Sequence, residues 1–207
     1  MYGYVKVGSA VPKLRVADCV YNKEEILKLV EAAAAKQVRV LSFPELSVTG
    51  YTCADLFFQA PLLHTAEQAI QEIAEATEAL NIFLLIGAPI AVDNQMFNCA
   101  VALYRGKLLG IVPKTHIPNY SEFYEERWFA SADDLLTEEI TYAGQNVPIG
   151  ADLIFAAADF PALKIGVEIC EDLWVPIPPS SYLSLYGATL LLNLSAPPGM
   201  FFSLKFT

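Results

Sequence analysis

The chain of 207 residues is 55% hydrophobic and only 17% charged, which excludes disorder for most of its length, because disordered segments are polar and rich in charge. Its 13 lysines and arginines against 23 aspartates and glutamates give a net charge of −10. Such a charge argues against nucleic-acid binding, since an acidic surface repels phosphate. The length fits a single domain.

Helices and strands alternate in the first half of the chain. Apolar residues recur at helical spacing over 23–36 and 65–80. We expect the first helix to be capped by Asn22, with Glu25 completing a capping box. Apolar and alternating runs of strand length predict five strands, at 4–10, 38–43, 82–90, 96–105 and 107–113. The last two strands form a predicted hairpin around 105–107.

Residues 114–150 form a long segment in which no regular structure is predicted. Within it, 121–140 holds seven carboxylates and one arginine. A loop of this length in a compact domain usually has a function, although a solvated acidic surface is the plainer interpretation. Beyond it we predict strands at 152–156, 163–169 and 189–194, and one short helix at 180–187. The whole pattern predicts an α/β fold with layered helices and a mixed sheet.

Several classes of protein find no support in the sequence. None of the four cysteines forms a C-x-x-C pair, which makes a zinc site of that kind unlikely. The first residues contain Lys6 and no long apolar run, so we predict no signal peptide and a cytoplasmic protein with reduced thiols. Prolines interrupt the uncharged stretch 173–204, which therefore does not predict a membrane span. Phosphate-binding and dinucleotide-binding glycine motifs are absent.

Three reactive side chains each follow a predicted strand: Glu45, Lys114 and Cys170. Ligand sites of α/β sheets lie at the carboxyl ends of strands, so these groups are candidates for one site. There a thiolate would attack a carbonyl carbon, a carboxylate would take and return the proton, and an ammonium would stabilise the oxyanion.

Each of these residues also has a purely structural alternative. Cys170 could be a core residue, Glu45 a helix cap and Lys114 a surface lysine. The two histidines offer a further alternative, because His116 could line the site, whereas His64 is expected to be structural. Spacing in the sequence leaves these alternatives open.

The sequence resembles the carbon–nitrogen hydrolase (nitrilase) superfamily over essentially all of 1–207. The segments that carry this resemblance are Phe-Pro-Glu-Leu at 43–46 with Gly-Tyr at 50–51, Pro-Lys at 113–114, Gly-Val-Glu-Ile-Cys-Glu-Asp at 166–172 and Leu-Asn-Leu-Ser-Ala at 192–196. Within the superfamily it is most similar to the glutaminase domains of glutamine-dependent NAD synthetases. That narrower similarity lies in Tyr-Thr-Cys-Ala-Asp-Leu-Phe at 51–57, Glu-Phe-Tyr-Glu-Glu-Arg-Trp-Phe at 122–129 and Cys-Glu-Asp-Leu-Trp at 170–174.

The resemblance implies an α-β-β-α sandwich and a set of catalytic roles. It makes Cys170 the nucleophile, Glu45 the general base and Lys114 the oxyanion stabiliser, with the main-chain N–H of Glu171 as a second oxyanion donor. The implied reaction hydrolyses glutamine through a thioester and supplies ammonia for the amidation of deamido-NAD.

The resemblance also implies a set of substrate-binding residues, namely Tyr51, Tyr120, Glu125, Glu171 and Ser195. Glu125 would pair with the ammonium of glutamine, whose burial needs an opposite charge. No cofactor or metal is implied for this domain. ATP and Mg²⁺ would belong to a synthetase domain that this chain lacks, and the expected partners are glutamine, that domain and further copies of the chain.

The end of the chain departs from the family pattern. Further strands and a basic substrate-binding residue normally follow the segment at 192–196, whereas 200–204 is apolar and Lys205 is only a loose match. We therefore expect a C-terminally truncated sandwich whose uncovered sheet edge favours association. Two alternatives stay open: a stand-alone amidase acting on another small amide, and an inactive fragment that serves in assembly.

Overall fold

The larger sheet of the protein has five strands and brings two of the candidate residues to its edge. The computed structural model describes residues 3–196. The strands lie in the order β1–β2–β3–β4–β5, with β1 to β3 parallel and β3 to β5 antiparallel. Their bounds are β1 Val7–Ser9, β2 Val40–Ser42, β3 Phe83–Val92, β4 Gln95–Tyr104 and β5 Lys107–Pro113.

A second sheet packs against the first, and a separate hairpin lies between them in the sequence. The hairpin consists of β6, Glu139–Tyr142, and β7, Gln145–Pro148. The second sheet has the order β10–β9–β8, in which β9 is central, parallel to β10 and antiparallel to β8. Its strands are β8 Ile154–Ala156, β9 Lys164–Ile169 and β10 Leu190–Leu194.

Three α-helices complete the layers of the described residues. Helices α1, Cys19–Ala35, and α2, Ala60–Ala76, contact each other and share one apolar core with the outer face of the first sheet. Helix α3, Pro179–Leu185, packs on β9 of the second sheet. None of the helices in the described part of the chain is long and apolar enough to cross a membrane.

Alternation along the central strands divides the first sheet between two cores. Leu84 and Ile86 of β3 face the helices, whereas Phe83 and Leu85 face the second sheet. There they meet Val167 and the other buried residues of β9 and β10. Burial on both faces explains why β3 reads as a continuous apolar run in the sequence. The predicted α-β-β-α sandwich is confirmed.

The start of α1 corrects one sequence-based prediction. The cap is Asp18, whose side chain accepts from Tyr21 N at 3.1 Å. The predicted cap Asn22 instead lies inside the helix, fully buried, where it hydrogen-bonds the main chain of Arg15 and Val48. A buried amide with these partners ties the loop before the helix to the loop that carries Glu45.

Two other element predictions were also inaccurate. Helix α2 begins at Ala60, five residues before the predicted 65, with a proline in its first turn where a missing N–H is harmless. The segment 114–150 contains the hairpin β6–β7, whose turn at Ala143–Gly144 has two positive φ angles, 50° and 72°. The predicted turn at Arg105–Gly106 has the same geometry, which matches the twist of paired strands.

Candidate active site

Glu45, Lys114 and Cys170 all lie at strand ends that meet at one edge of the two packed sheets. Glu45 follows β2, Lys114 follows β5 directly, and Cys170 follows β9 directly. The Lys114 Nζ atom lies 3.2 Å from Glu45 Oε2, and both side chains are fully buried. Cys170 is half-buried beside Glu45. The structure thus brings together the three residues that the sequence singled out.

The position of Glu45 depends on a close approach between its main chain and β3. A side chain at Gly87 would place Cβ 2.2 Å from Leu46 N and 2.5 Å from the carbonyl carbon of Glu45. Only glycine therefore fits here. Gly87 O also accepts from Val48 N at 3.1 Å, which fixes the turn after Glu45.

Three donors hold the carboxylate of Glu45. Asn98 Nδ2 and Lys114 Nζ donate to Oε2 at 2.8 and 3.2 Å, and the main-chain N–H of Ala196 donates to Oε1 at 3.1 Å. Sequence reasoning missed Asn98, which is fully buried in β4. The sequence does contain a sign of its importance, because Asn98 is the single polar residue in the apolar run 96–103.

A second carboxylate, Glu125, shares the ammonium of Lys114. Its two oxygens lie 3.0 and 2.9 Å from Nζ, and Oε1 also accepts from the Tyr51 hydroxyl at 2.6 Å. Burial alone would lower the pKa of Lys114, but Glu45 and Glu125 outweigh it and hold that pKa above its usual value. Burial raises the pKa of Glu125. The two carboxylates therefore favour the charged form of Lys114.

Cys170 occupies a tight turn between β9 and a short 3₁₀ helix, Cys170–Trp174. Its φ of 47° is left-handed, a conformation that costs energy for any residue with a side chain. Ser195 Oγ donates to its sulfur at 3.4 Å, and Asn193 Nδ2 donates to its carbonyl oxygen at 3.3 Å. Strained backbone of this kind is common at active sites.

The surroundings of the Cys170 thiol favour its protonated form. Burial and the neighbouring Glu45 carboxylate raise its pKa to about 12, although Lys114 and Ser195 act in the opposite direction. Reaction as a thiolate therefore requires a proton acceptor at the site. Glu45 is the adjacent carboxylate that can serve.

Two of the predicted substrate-binding residues, Tyr120 and Glu171, hydrogen-bond each other through their side chains. The Tyr120 hydroxyl donates to both carboxylate oxygens of Glu171 at 2.9 Å. Both residues line a cavity of about 980 Å³, together with Thr115 and His116. The predicted set is therefore divided. Glu125 contacts Lys114, Ser195 contacts Cys170, and Tyr51 hydrogen-bonds Glu125. Tyr120 and Glu171 line a cavity whose walls include neither Lys114 nor Cys170.

The segments 51–57 and 122–129 pack against each other. Asp55 accepts from Arg127 Nε and Nη2 at 2.7 and 2.8 Å and from Trp128 Nε1 at 3.0 Å. The Arg127 guanidinium holds the pKa of Asp55 well below its usual range. Phe57 contacts the Phe129 ring edge-on, with centroids 5.0 Å apart. Together the two segments hold Glu125 against Lys114.

Three further observations concern the C-terminal residues, groups of metal-binding side chains and the cysteines. Lys205 and 200–204 lie outside the described residues. Within 3–196, no group of three or more histidine, cysteine, aspartate or glutamate side chains could hold a metal ion. The four cysteines are free thiols, and all but Cys170 are buried.

Comparison with known proteins gives a consistent result. The carbon–nitrogen hydrolase family matches residues 6–202. The glutamine-dependent NAD(+) synthetase of Mycobacterium leprae is 40% identical over 196 residues, which cover 95% of this chain and 29% of that protein. The chain thus spans less than a third of this relative.

Solved structures agree with the fold. The glutamine-dependent NAD(+) synthetase from Cytophaga hutchinsonii superposes with a TM-score of 0.80 at 30% identity, covering 93% of this chain and 30% of that one. An amidase from Nesterenkonia sp. gives a TM-score of 0.72 at 17% identity, covering 97% of this chain and 68% of that one. At that identity the second likeness shows the fold alone.

Proposed function

The chain belongs to the carbon–nitrogen hydrolase family, and on that premise we propose that it hydrolyses the side-chain amide of glutamine to glutamate and ammonia. One observation carries the proposal: the buried contact of 3.2 Å between Lys114 Nζ and Glu45 Oε2, beside the Cys170 thiol. These are a nucleophile, a base and a cation at one point, the groups that amide hydrolysis requires.

The first half of the reaction forms a thioester. Glu45 takes the proton of Cys170, and the sulfur attacks the amide carbon. The carbonyl oxygen becomes an oxyanion, which Lys114 Nζ stabilises together with the main-chain N–H of Glu171. The C–N bond then breaks, and Glu45 gives its proton to the departing nitrogen, which leaves as ammonia.

The second half releases glutamate. Glu45 takes a proton from water, and the hydroxide adds to the thioester carbon. The C–S bond of the second tetrahedral intermediate breaks, and Cys170 recovers its proton from Glu45. The three groups interact strongly, so their titration belongs to the set rather than to any one residue.

We favour glutamine over other amides because the relatives include a protein at 40% identity whose name specifies glutamine dependence. Free glutamine carries both an ammonium and a carboxylate, so its pocket needs charged or polar partners. Tyr120 and Glu171, which hydrogen-bond each other, are the outer members of the predicted pocket. Tyr51, Glu125 and Ser195 are the inner members of the predicted pocket.

The released ammonia, we propose, serves an ATP-dependent amidation of deamido-NAD to NAD, in a synthetase domain outside this chain. The support is that the similar proteins are NAD(+) synthetases of which this chain covers less than a third. ATP and Mg²⁺ would act in that domain.

An electrophilic glutamine analogue tests the proposed activity. We expect a diazoketone analogue of glutamine to modify Cys170 alone among the four cysteines, as mapped by peptide mass spectrometry. Prior addition of glutamine should protect it. Scattered or absent labelling would contradict a formed glutamine site in this chain.

A second candidate is an amidase for another small amide, since the family to which the chain belongs is named for carbon–nitrogen hydrolysis and not for glutamine. A panel of glutamine, asparagine, acetamide and propionamide separates the two. Turnover confined to glutamine supports the first proposal, whereas turnover of the simple amides supports the second.

A further inference from the structure

Asp172 is a buried carboxylate that bonds the main chain of two different segments. Its Oδ1 accepts from Thr115 N at 3.1 Å and from His116 N at 2.7 Å, and its Oδ2 accepts from Ile169 N at 2.9 Å. The side chain is only 1% exposed. Thr115 and His116 directly follow Lys114, and Ile169 directly precedes Cys170.

We propose that Asp172 is a positioning residue that fixes the segment carrying Lys114 against the turn carrying Cys170. This inference rests on the proposed function, in which those two side chains act on one carbonyl group. Asp172 touches neither the reacting atoms nor the catalytic side chains. It acts through the main chain on either side of them.

The Lys114 segment is otherwise held by its own side of the molecule. Lys114 N donates to Asn98 O of β4 at 2.8 Å, and Lys114 O accepts from Ala132 N at 2.9 Å. Thr115 O accepts from Ser131 Oγ at 2.6 Å. These bonds place Lys114 relative to the first sheet, which packs on the second sheet through apolar side chains such as Val112 and Val167. Asp172 adds directional hydrogen bonds between the segment after Lys114 and the turn that carries Cys170.

The same carboxylate also closes the turn of the nucleophile. The bond from Ile169 N to Asp172 Oδ2 spans Cys170, whose φ of 47° is otherwise unfavourable. One side chain thus maintains the strained turn and joins it to the neighbouring segment. A neutral amide of the same shape cannot do both, because its NH₂ group would face a main-chain N–H.

The position of Asp172 is maintained against an energetic cost. Burial raises its pKa to about 6 in spite of the main-chain donors of His116 and Ile169. At neutral pH the group is therefore a desolvated carboxylate. Such a group is expected where it performs a task that an apolar residue cannot.

The variant Asp172→Asn tests this inference with two measurements. The first is the steady-state kinetics of glutamine hydrolysis. The second is the rate at which iodoacetamide alkylates Cys170 at pH 8, resolved from the other cysteines by peptide mass spectrometry. Alkylation needs no glutamine turnover, so it tests Asp172 even if the proposed function fails.

Glu168→Gln is the matched control. Glu168 is a buried carboxylate of β9 that accepts one main-chain N–H, from Ser180 at 3.0 Å, on the side of α3. It therefore shares the burial and the chemistry of Asp172 without the link to Lys114. Thermal melting of both variants measures their loss of stability.

We expect Asp172→Asn to lower kcat about 10- to 100-fold with little change in KM, as a misplacement of reacting groups by about 1 Å does. Alkylation of Cys170 should slow severalfold, because Lys114 no longer lowers the thiol pKa from its native position. Glu168→Gln should keep its kcat. Equal losses in both variants, or an unchanged kcat in Asp172→Asn, would overturn the proposal.

Asp172→Glu is the second variant, for use if Asp172→Asn does not fold. It keeps the charge and lengthens the side chain by one methylene, which shifts the two segments apart. We expect a lower kcat and slower alkylation here too. A folded Asp172→Glu protein with native kinetics would overturn the proposal.

Discussion

Glu125 binds the ammonium of Lys114 at two points, 3.0 and 2.9 Å from Nζ, closer than the 3.2 Å that separates the same atom from Glu45. The buried centre therefore holds one cation between two carboxylates. In this arrangement Glu125 keeps Lys114 in place and charged. Its predicted contact with the substrate ammonium stays a prediction.

Replacement of Lys114 by methionine should affect both stability and turnover. It leaves Glu45 and Glu125 buried without their cation, which we expect to cost about 3–5 kcal/mol of unfolding free energy. Loss of the proposed oxyanion stabiliser should lower kcat about 10²- to 10³-fold. Denaturant unfolding and glutamine hydrolysis measure the two effects.

The double variant Lys114→Met/Glu125→Gln separates these effects. Removal of the Glu125 charge as well should restore much of the stability that Lys114→Met loses, without restoring kcat. If stability and activity recover together, then Lys114 has only a structural role.

Cys170→Ala should abolish glutamine hydrolysis and change the free energy of unfolding by less than about 1 kcal/mol, because the half-buried thiol fills little of the core. Cys19→Ala is the control, since Cys19 is a buried thiol at the start of α1 and is not among the predicted site residues. It should lower stability and keep activity. Measurable turnover in Cys170→Ala would refute the thioester mechanism.

Glu45→Gln should separate thiol ionisation from turnover. Because the Glu45 carboxylate helps to raise the pKa of Cys170, its neutralisation should lower that pKa and increase the thiolate fraction at a fixed pH. Iodoacetamide should then alkylate Cys170 faster at pH 8. Hydrolysis of glutamine should nonetheless fall about 10²- to 10⁴-fold for want of a general base. Alkylation that slows along with turnover would contradict this assignment.

Gly87→Ala should displace the main chain of Glu45. The new methyl group would overlap Leu46 N and the carbonyl carbon of Glu45, so the loop must move. We expect a loss of about 1–3 kcal/mol in stability together with reduced kcat. Gly8→Ala in β1 is the control, since its nearest neighbour is the end of the Leu41 side chain at 3.2 Å. Equal effects of the two substitutions would show that the close approach at Gly87 has no special importance.

Most of the fold could be predicted because apolar periodicity follows burial. Strand β3 lies between two cores and reads as an uninterrupted apolar run, which the sequence shows directly. The start of α1 could not be located, because both Asp18 and Asn22 are good caps and only the tertiary contacts of Asn22 with Arg15 and Val48 decide between them. The hairpin β6–β7 was missed because Ala143–Gly144 lacks the usual asparagine or aspartate.

The site was predictable in its reactive groups and less so in their supports. Glu45, Lys114 and Cys170 stand at strand ends, where a pattern and a family resemblance can find them. Asn98 and Asp172 act through hydrogen bonds to residues 53 and 56 positions away in the chain. Such bonds depend on how the sheets pack, and the spacing of residues in the sequence does not indicate that packing.

The bond between Ala196 N and Glu45 Oε1 joins residues from the two sheets, and its consequence concerns the order of synthesis. The first sheet, which carries Glu45 and Lys114, leaves the ribosome before Cys170 is synthesised. On the proposed mechanism, the nucleophile meets its base only when the second sheet docks. The onset of glutamine hydrolysis would then report the docking of the sheets in a refolding experiment.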